Sequence, residues 1–168
     1  LKDQLVAAAP QKDDELHIVS DLVQTGDMVV LVVPIDSAAP KGRLIMPQQQ
    51  TIRDLLDHHA IPIVTQVEEL AGVLSALADK VKLVITDSQA FKEVNQIVPA
   101  DIPLTSFSIL FARHKGNLQQ LMEGVRMVEQ LRDGDKVLIA EGCTHRRQCD
   151  DIGTVKIPNW LRTHTGCK

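Results

Sequence analysis

Residues 27–36 read DMVVLVVPID. From Met28 onward eight consecutive residues are apolar, and valine dominates them. The run is too short for a buried helix and is rich in β-branched side chains, so it reads as a strand covered on both faces. A strand of that kind belongs to a parallel sheet with helices on each side. This stretch therefore sets the expected fold class as α/β.

The chain on either side repeats the theme. TIRDLLDHHA (51–60) places Ile52, Leu55, Leu56 and His59 at helical spacing, after a long polar connection over 39–54. IPIV (61–64) reads as a second strand. EELAGVLSALAD (68–79) puts Leu70, Val73, Leu74, Leu77 and Ala78 on one helical face. VKLVIT (81–86) is a third strand, and Asp87 or Ser88 is placed to cap the next helix, whose apolar face is Phe91, Val94, Ile97 and Val98. IPLTSF (102–107) is a weaker fourth strand containing Pro103, which suits an edge. Strand and helix alternate over residues 17–106, so a parallel sheet layered in the Rossmann or flavodoxin manner is expected there, with the 28–35 strand central.

Residues 1–16 read as an exit helix and linker from a preceding domain. Residues 107–168 read as a second, incomplete α/β domain. NLQQLMEGVRMVEQL (117–131) is a strongly amphipathic helix with Leu118, Leu121, Met122, Val125 and Val128 in line, Asn117 as its cap and Gly134 beyond its end. DKVLIAEG (135–142) supplies an expected strand at 136–141. IPNWLRTHTG (157–166) reads as a short helix with Pro158 in its first turn and Gly166 at its end.

The 168 residues carry a net charge of −4, one Trp, three Phe and no Tyr. A basic patch with stacking aromatics is hard to build from that, so nucleic-acid binding is not expected. No apolar run reaches the roughly 20 residues that span a bilayer, and LKDQLVAAAPQKDDE at the start lacks the apolar stretch of a secretion signal, so a cytoplasmic protein is expected. Three cysteines without a secretory context point to metal or free thiols rather than disulfides.

Several nucleotide and hydrolase signatures are absent: there is no G-x-x-x-x-G-K-[ST], no G-x-G-x-x-G and no G-x-S-x-G. Asp36 and Asp87 stand at the C-terminal ends of strands one and three, where parallel sheets bind ligands; capping of helices or turns is the favoured role. Lys41 and Arg43 precede a helix N-terminus and, with Arg53, offer an anion site or a solvated basic loop. His58 and His59 read as surface and part-buried histidines, and His17 and His114 have no companion nearby in sequence. AEGCTHRRQCDDIG (140–153) brings Cys143, His145 and Cys149 within seven residues. Thiolate with imidazole suits zinc or an iron–sulfur cluster, with Cys167 or His164 as a further ligand. A free thiol whose pKa is lowered by Arg146 and Arg147 fits the spacing equally well.

Two long stretches carry a resemblance. VVPIDSAAPKGRLIMPQQQTIRDLLD (32–57) and EGCTHRRQCDDIGTVKIPNWLR (141–162) closely resemble the [FeFe]-hydrogenase maturation GTPase family HydF, and the likeness runs through essentially the whole chain. The resemblance implies a GTPase domain that is missing here and through which alone GTP would bind, then a central domain that forms a homodimer, then the start of a C-terminal iron–sulfur domain. The family's cluster motif is C-x-H followed several dozen residues later by H-C-x-x-C. Cys143 and His145 match its first half; the second half is not in this chain, and Cys149 and Cys167 are not positions of the motif. The [4Fe-4S] site of the full-length protein is thus incomplete here. The implied role is a scaffold or carrier that receives a diiron precursor from radical-SAM maturases and delivers it to the apo-[FeFe]-hydrogenase. No residue of this chain need act as a catalyst. The residues alone leave two alternatives: a small-molecule-binding α/β domain using the Asp36/Asp87 edge, and an interaction module stabilised by zinc on Cys143, His145, Cys149 and Cys167.

Overall fold

In a computed structural model of the chain, which describes residues 17–35, 42–140 and 151–166, the valine-rich run is strand β1, Met28–Val32. Strands β2 (Ile61–Thr65), β3 (Val81–Thr86) and β4 (Leu104–Ser106) complete a sheet of order β2-β1-β3-β4, and every pairing is parallel. β1 pairs Met28–Val32 with Ile61–Thr65 on one side and Val29–Val32 with Leu83–Thr86 on the other, with one irregularity between Met28 and Val29. It is central, as its hydrophobicity requires, and Val29, Val30, Leu31 and Val32 are all fully buried.

Alternation along β1 and β3 divides the core in two. Val29, Leu31, Leu83 and Ile85 face helices α1 (Met46–Asp57) and α4 (Phe107–Lys115), packing with Leu55, Phe107, Leu110 and Phe111. Val30, Val32 and Val84 face helices α2 (Leu70–Leu77) and α3 (Phe91–Ile97), packing with Leu70, Leu74 and Val94. The expected four-stranded parallel sheet with covering helices is therefore present.

Three details differ from the sequence reading. The connection expected over 39–54 is helical from Met46, because Pro47 lies in the first turn and the Gln48 side chain accepts the Ile45 N–H at 3.1 Å, closing one side of a capping box. His59 lies past the helix at φ 58°, in the left-handed region, so it leaves the α1 stripe. The N-cap of α3 is Ala90, not Asp87 or Ser88.

The first compact unit runs through Gly116 rather than ending at 106. Helix α4 belongs to it because Phe107, Leu110 and Phe111 complete one core layer, and Ser106 caps it by accepting the Ile109 N–H at 3.2 Å.

The second unit starts at Asn117. Asn117 caps helix α5 (Leu118–Arg126) by accepting the Gln120 N–H at 3.1 Å, and a 3-10 turn, Met127–Gln130, follows. A π-helical turn, Ile152–Lys156, leads into helix α6 (Ile157–Thr165), which has Pro158 in its first turn and ends at Gly166 with φ 71°. Asp151 is buried and starts that turn by accepting from both the N–H and the hydroxyl of Thr154. Residues 136–140, the described part of the expected strand, form no strand, and Leu138 is exposed. A strand requires a neighbour to hydrogen-bond, and among the described residues this unit offers none. Among the described residues, no helix is long and apolar enough to cross a membrane.

Candidate functional site

The loop that carries Cys143, His145 and Cys149 lies outside the described residues, as do Cys167, Asp36 and Lys41. What the structure does place is the C-terminal edge of the sheet, a histidine cluster at α1, and the faces of α5 and α6.

At the sheet edge, Asp87 follows β3 and accepts from the Gln48 amide at 2.9 Å, while its backbone carbonyl accepts the Ala90 N–H at 3.1 Å. Gln48 is buried and thus ties the start of α1 to the end of β3. Arg43 is exposed nearby in sequence, and Arg53 pairs with Asp57 one helical turn on. Among the described residues the buried Thr86 hydroxyl has no hydrogen-bond partner, but Thr86 follows the alternation of Val84 and so faces α2 and α3, away from Gln48. An open cavity of about 500 Å³ lies between α2 and α3, lined by Leu74, Asp79, Val81, Ile97 and Asp101. Val81 begins β3, so this cavity is at the opposite end of the sheet from Asp87.

Helix α1 buries Gln48, Thr51 and Leu55, which places Asp54 beside the sheet-facing stripe. Its Oδ2 accepts the backbone N–H groups of Ile18, Val19 and Ser20 at 3.2, 2.8 and 2.9 Å, and its Oδ1 accepts the Ser20 hydroxyl at 3.0 Å. Asp54 thereby holds the 3-10 turn Ser20–Leu22 against α1. Burial pushes its carboxyl up, but the hydrogen bonds from Val19 and Ser20, together with the nearby His58, outweigh that and hold it below its ordinary value. His17 and His58 flank it with their rings edge to face at 5.2 Å, and His114 Nδ1 donates to the His17 carbonyl at 3.3 Å. The sequence reading left His17 and His114 without companions; the fold supplies both. Asp54, four residues before His58, was not singled out in the sequence.

Helix α5 has a continuous apolar face and no buried residue: Leu121, Met122 and Val125 are 49%, 52% and 68% exposed. Met127 beyond it and Trp160 on α6 are exposed as well. Isolated helices of this length are marginal in water, and a face of this kind is stable when covered.

No curated protein matches the chain. Two family descriptions do. The hydrogen maturase F dimerization domain matches residues 18–116, and the hydrogen maturase F tetramerization domain matches residues 119–168. The match boundary falls where the two compact units divide. Both parts are self-association modules rather than catalytic domains, and the chain belongs to the hydrogen maturase F family, the hydrogenase maturation proteins.

Proposed function

We propose that this chain is the self-assembling part of a scaffold that carries an iron–sulfur cluster and a diiron precursor during assembly of the [FeFe]-hydrogenase active site. The observation that carries the reading is the pair of association modules, the second of which leaves the apolar face of α5 uncovered. Residues 18–116 would form the homodimer, and the α5 face would join dimers into the larger assembly. Cys143 and His145 would contribute half of a [4Fe-4S] site in the full-length protein, Cys143 as a firm thiolate and His145 as a more readily exchanged imidazole. This donor set suits iron; the remaining ligands would come from elsewhere in the full-length protein. Partners would be the radical-SAM maturases and the apo-hydrogenase, and GTP would act through the separate GTPase domain, in the cytoplasm.

Sedimentation velocity tests the assembly step. The chain should form tetramers at tens of micromolar protein, an order of magnitude suited to a stable interface. Met122→Glu combined with Val125→Glu should reduce it to dimers, and an unchanged tetramer would overturn the role given to α5. Iron and sulfide reconstitution of the full-length protein tests the cluster step. Cys143→Ala should abolish the reduced-cluster spin signal, while His145→Ala should keep it with an altered spectrum.

A further inference from the structure

We infer that His17, Asp54 and His58 form a binding site for a divalent first-row transition-metal ion, on the first unit and remote in sequence from the cysteine loop. One ring nitrogen from each histidine and one carboxylate oxygen lie within 4.8 Å of one another, and all three residues are half-buried.

The hydrogen bonds around the cluster prepare it for a metal. The Ser20 hydroxyl donates to Asp54 Oδ1, so at 2.9 Å it must accept from His17 Nδ1–H. His58 Nδ1 is 2.9 Å from the Asp54 carbonyl, which only accepts, so that nitrogen also carries the proton. Both rings are thus fixed in the tautomer that leaves Nε2 with its lone pair. A ligating histidine is typically oriented in this way, by donating its other N–H to a carbonyl or a similar acceptor. Asp54 accepts four hydrogen bonds through two oxygens with about four lone-pair positions, and the three backbone donors crowd Oδ2. Oδ1 has a single hydroxyl donor and stands 3.8 Å from His58 Nδ1, the proton-bearing nitrogen, so the His58 ring must turn to bring Nε2 to an ion held by Oδ1.

Two imidazoles and one carboxylate make a three-ligand set that leaves coordination positions for water, a pattern used by zinc and by non-haem ferrous iron. Zinc–ligand bonds of about 2.0–2.1 Å put tetrahedral ligand atoms about 3.3 Å apart, closer than the 4.8 Å spread here. Closure therefore moves the rings rather than Asp54: the carboxylate is pinned to three backbone amides, whereas the His58 side chain is 39% exposed. Capping explains why Asp54 is placed beside the Ser20 turn, but it uses neither Nε2.

The site and the cluster reading stand or fall separately. The test uses the untagged chain with Cys143, Cys149 and Cys167 all replaced by Ser, titrated with Co²⁺ and with Zn²⁺. One equivalent should bind and give weak visible cobalt bands without thiolate charge transfer. His17→Ala and His58→Ala should each weaken binding about 100-fold, and Ser20→Ala about tenfold, as loss of a ligand and of a supporting hydrogen bond do. His59→Ala should leave binding unchanged. X-ray absorption at the zinc edge should show a nitrogen and oxygen shell with outer scattering from two imidazoles, a readout that does not depend on how the variants fold. Absence of a bound equivalent in the folded triple-Ser chain, an affinity in either histidine variant equal to that of the triple-Ser chain itself, or an imidazole count other than two overturns the proposal.

Discussion

The two units use apolar residues in opposite ways. In the first, β1 is flanked by strands on both edges and by helices on both faces, and Val29 to Val32 reach no solvent at all. In the second, α5 is just as clearly patterned, yet it buries none of its residues. A period-3.6 stripe tells which face will be covered but not by what. The sheet finds its cover within the same chain; among the described residues α5 is left exposed.

Substitutions in the two units test this contrast. The largest expected effect is in the first unit. Leu31→Ala or Leu55→Ala should cost about 2–5 kcal/mol in urea unfolding, since both side chains are fully buried. In protein diluted until tetramers no longer form, Val125→Ala should stay within about 0.5 kcal/mol, as surface changes do. A loss at Val125 as large as that at Leu31 would mean that the α5 face is already packed within one chain.

Asp54→Ala should cost about 1–3 kcal/mol, because it strands backbone donors at Ile18, Val19 and Ser20. The same carboxyl gives a pH signature. Its folded-state pKa is lowered, so its stabilisation is complete above the ordinary aspartate range and is lost as pH falls through that range toward the folded value. Denaturation profiles from pH 6 to 3 should therefore be shallower in Asp54→Asn than in the unaltered chain.

The two helix caps compare the units directly. Ser106→Ala should cost about 1 kcal/mol in the main unfolding transition, whereas Asn117→Ala should leave that transition unchanged and lower helical circular dichroism instead. At the small end, Arg53→Ala should give no measurable change in melting temperature, because its pair with Asp57 is an exposed ion pair on one helix face.

Legibility in the sequence followed the same division. The valine run announced a central strand because no other buried element fits eight apolar residues, and the weak strand containing Pro103 was rightly put at an edge. The start of α1 was not visible, because MPQQQ has no apolar period; only its Pro47 and Gln48 hinted at a helix N-terminus. Helix α4 was assigned to the following segment because SILFARHKG declares hydrophobicity without naming the core it joins. The strand expected from VLIA was a reading of local preference, and among the described residues no partner strand is present for it. Of the histidine cluster, Asp54 and His58 share a helix face, but His17 meets them only because β1 and α1 fold back on each other, a contact no local pattern encodes. The cysteine loop was the strongest chemical signal in the sequence, and it lies outside the described residues.

The order of the strands also bears on biosynthesis. β1 is first along the chain but sits between the second and third strands. During synthesis its neighbours arrive only when residues 61–65 and then 81–86 have left the ribosome, and each joins through a crossover rather than a hairpin. At about 5–20 residues per second, the valine run waits several seconds with its ladder unpaired. Nascent chains halted before residue 81 has left the ribosome should therefore bind a chaperone or aggregate, and those halted once residue 116 has emerged should not, which puts the period of greatest risk for this molecule ahead of any assembly it enters.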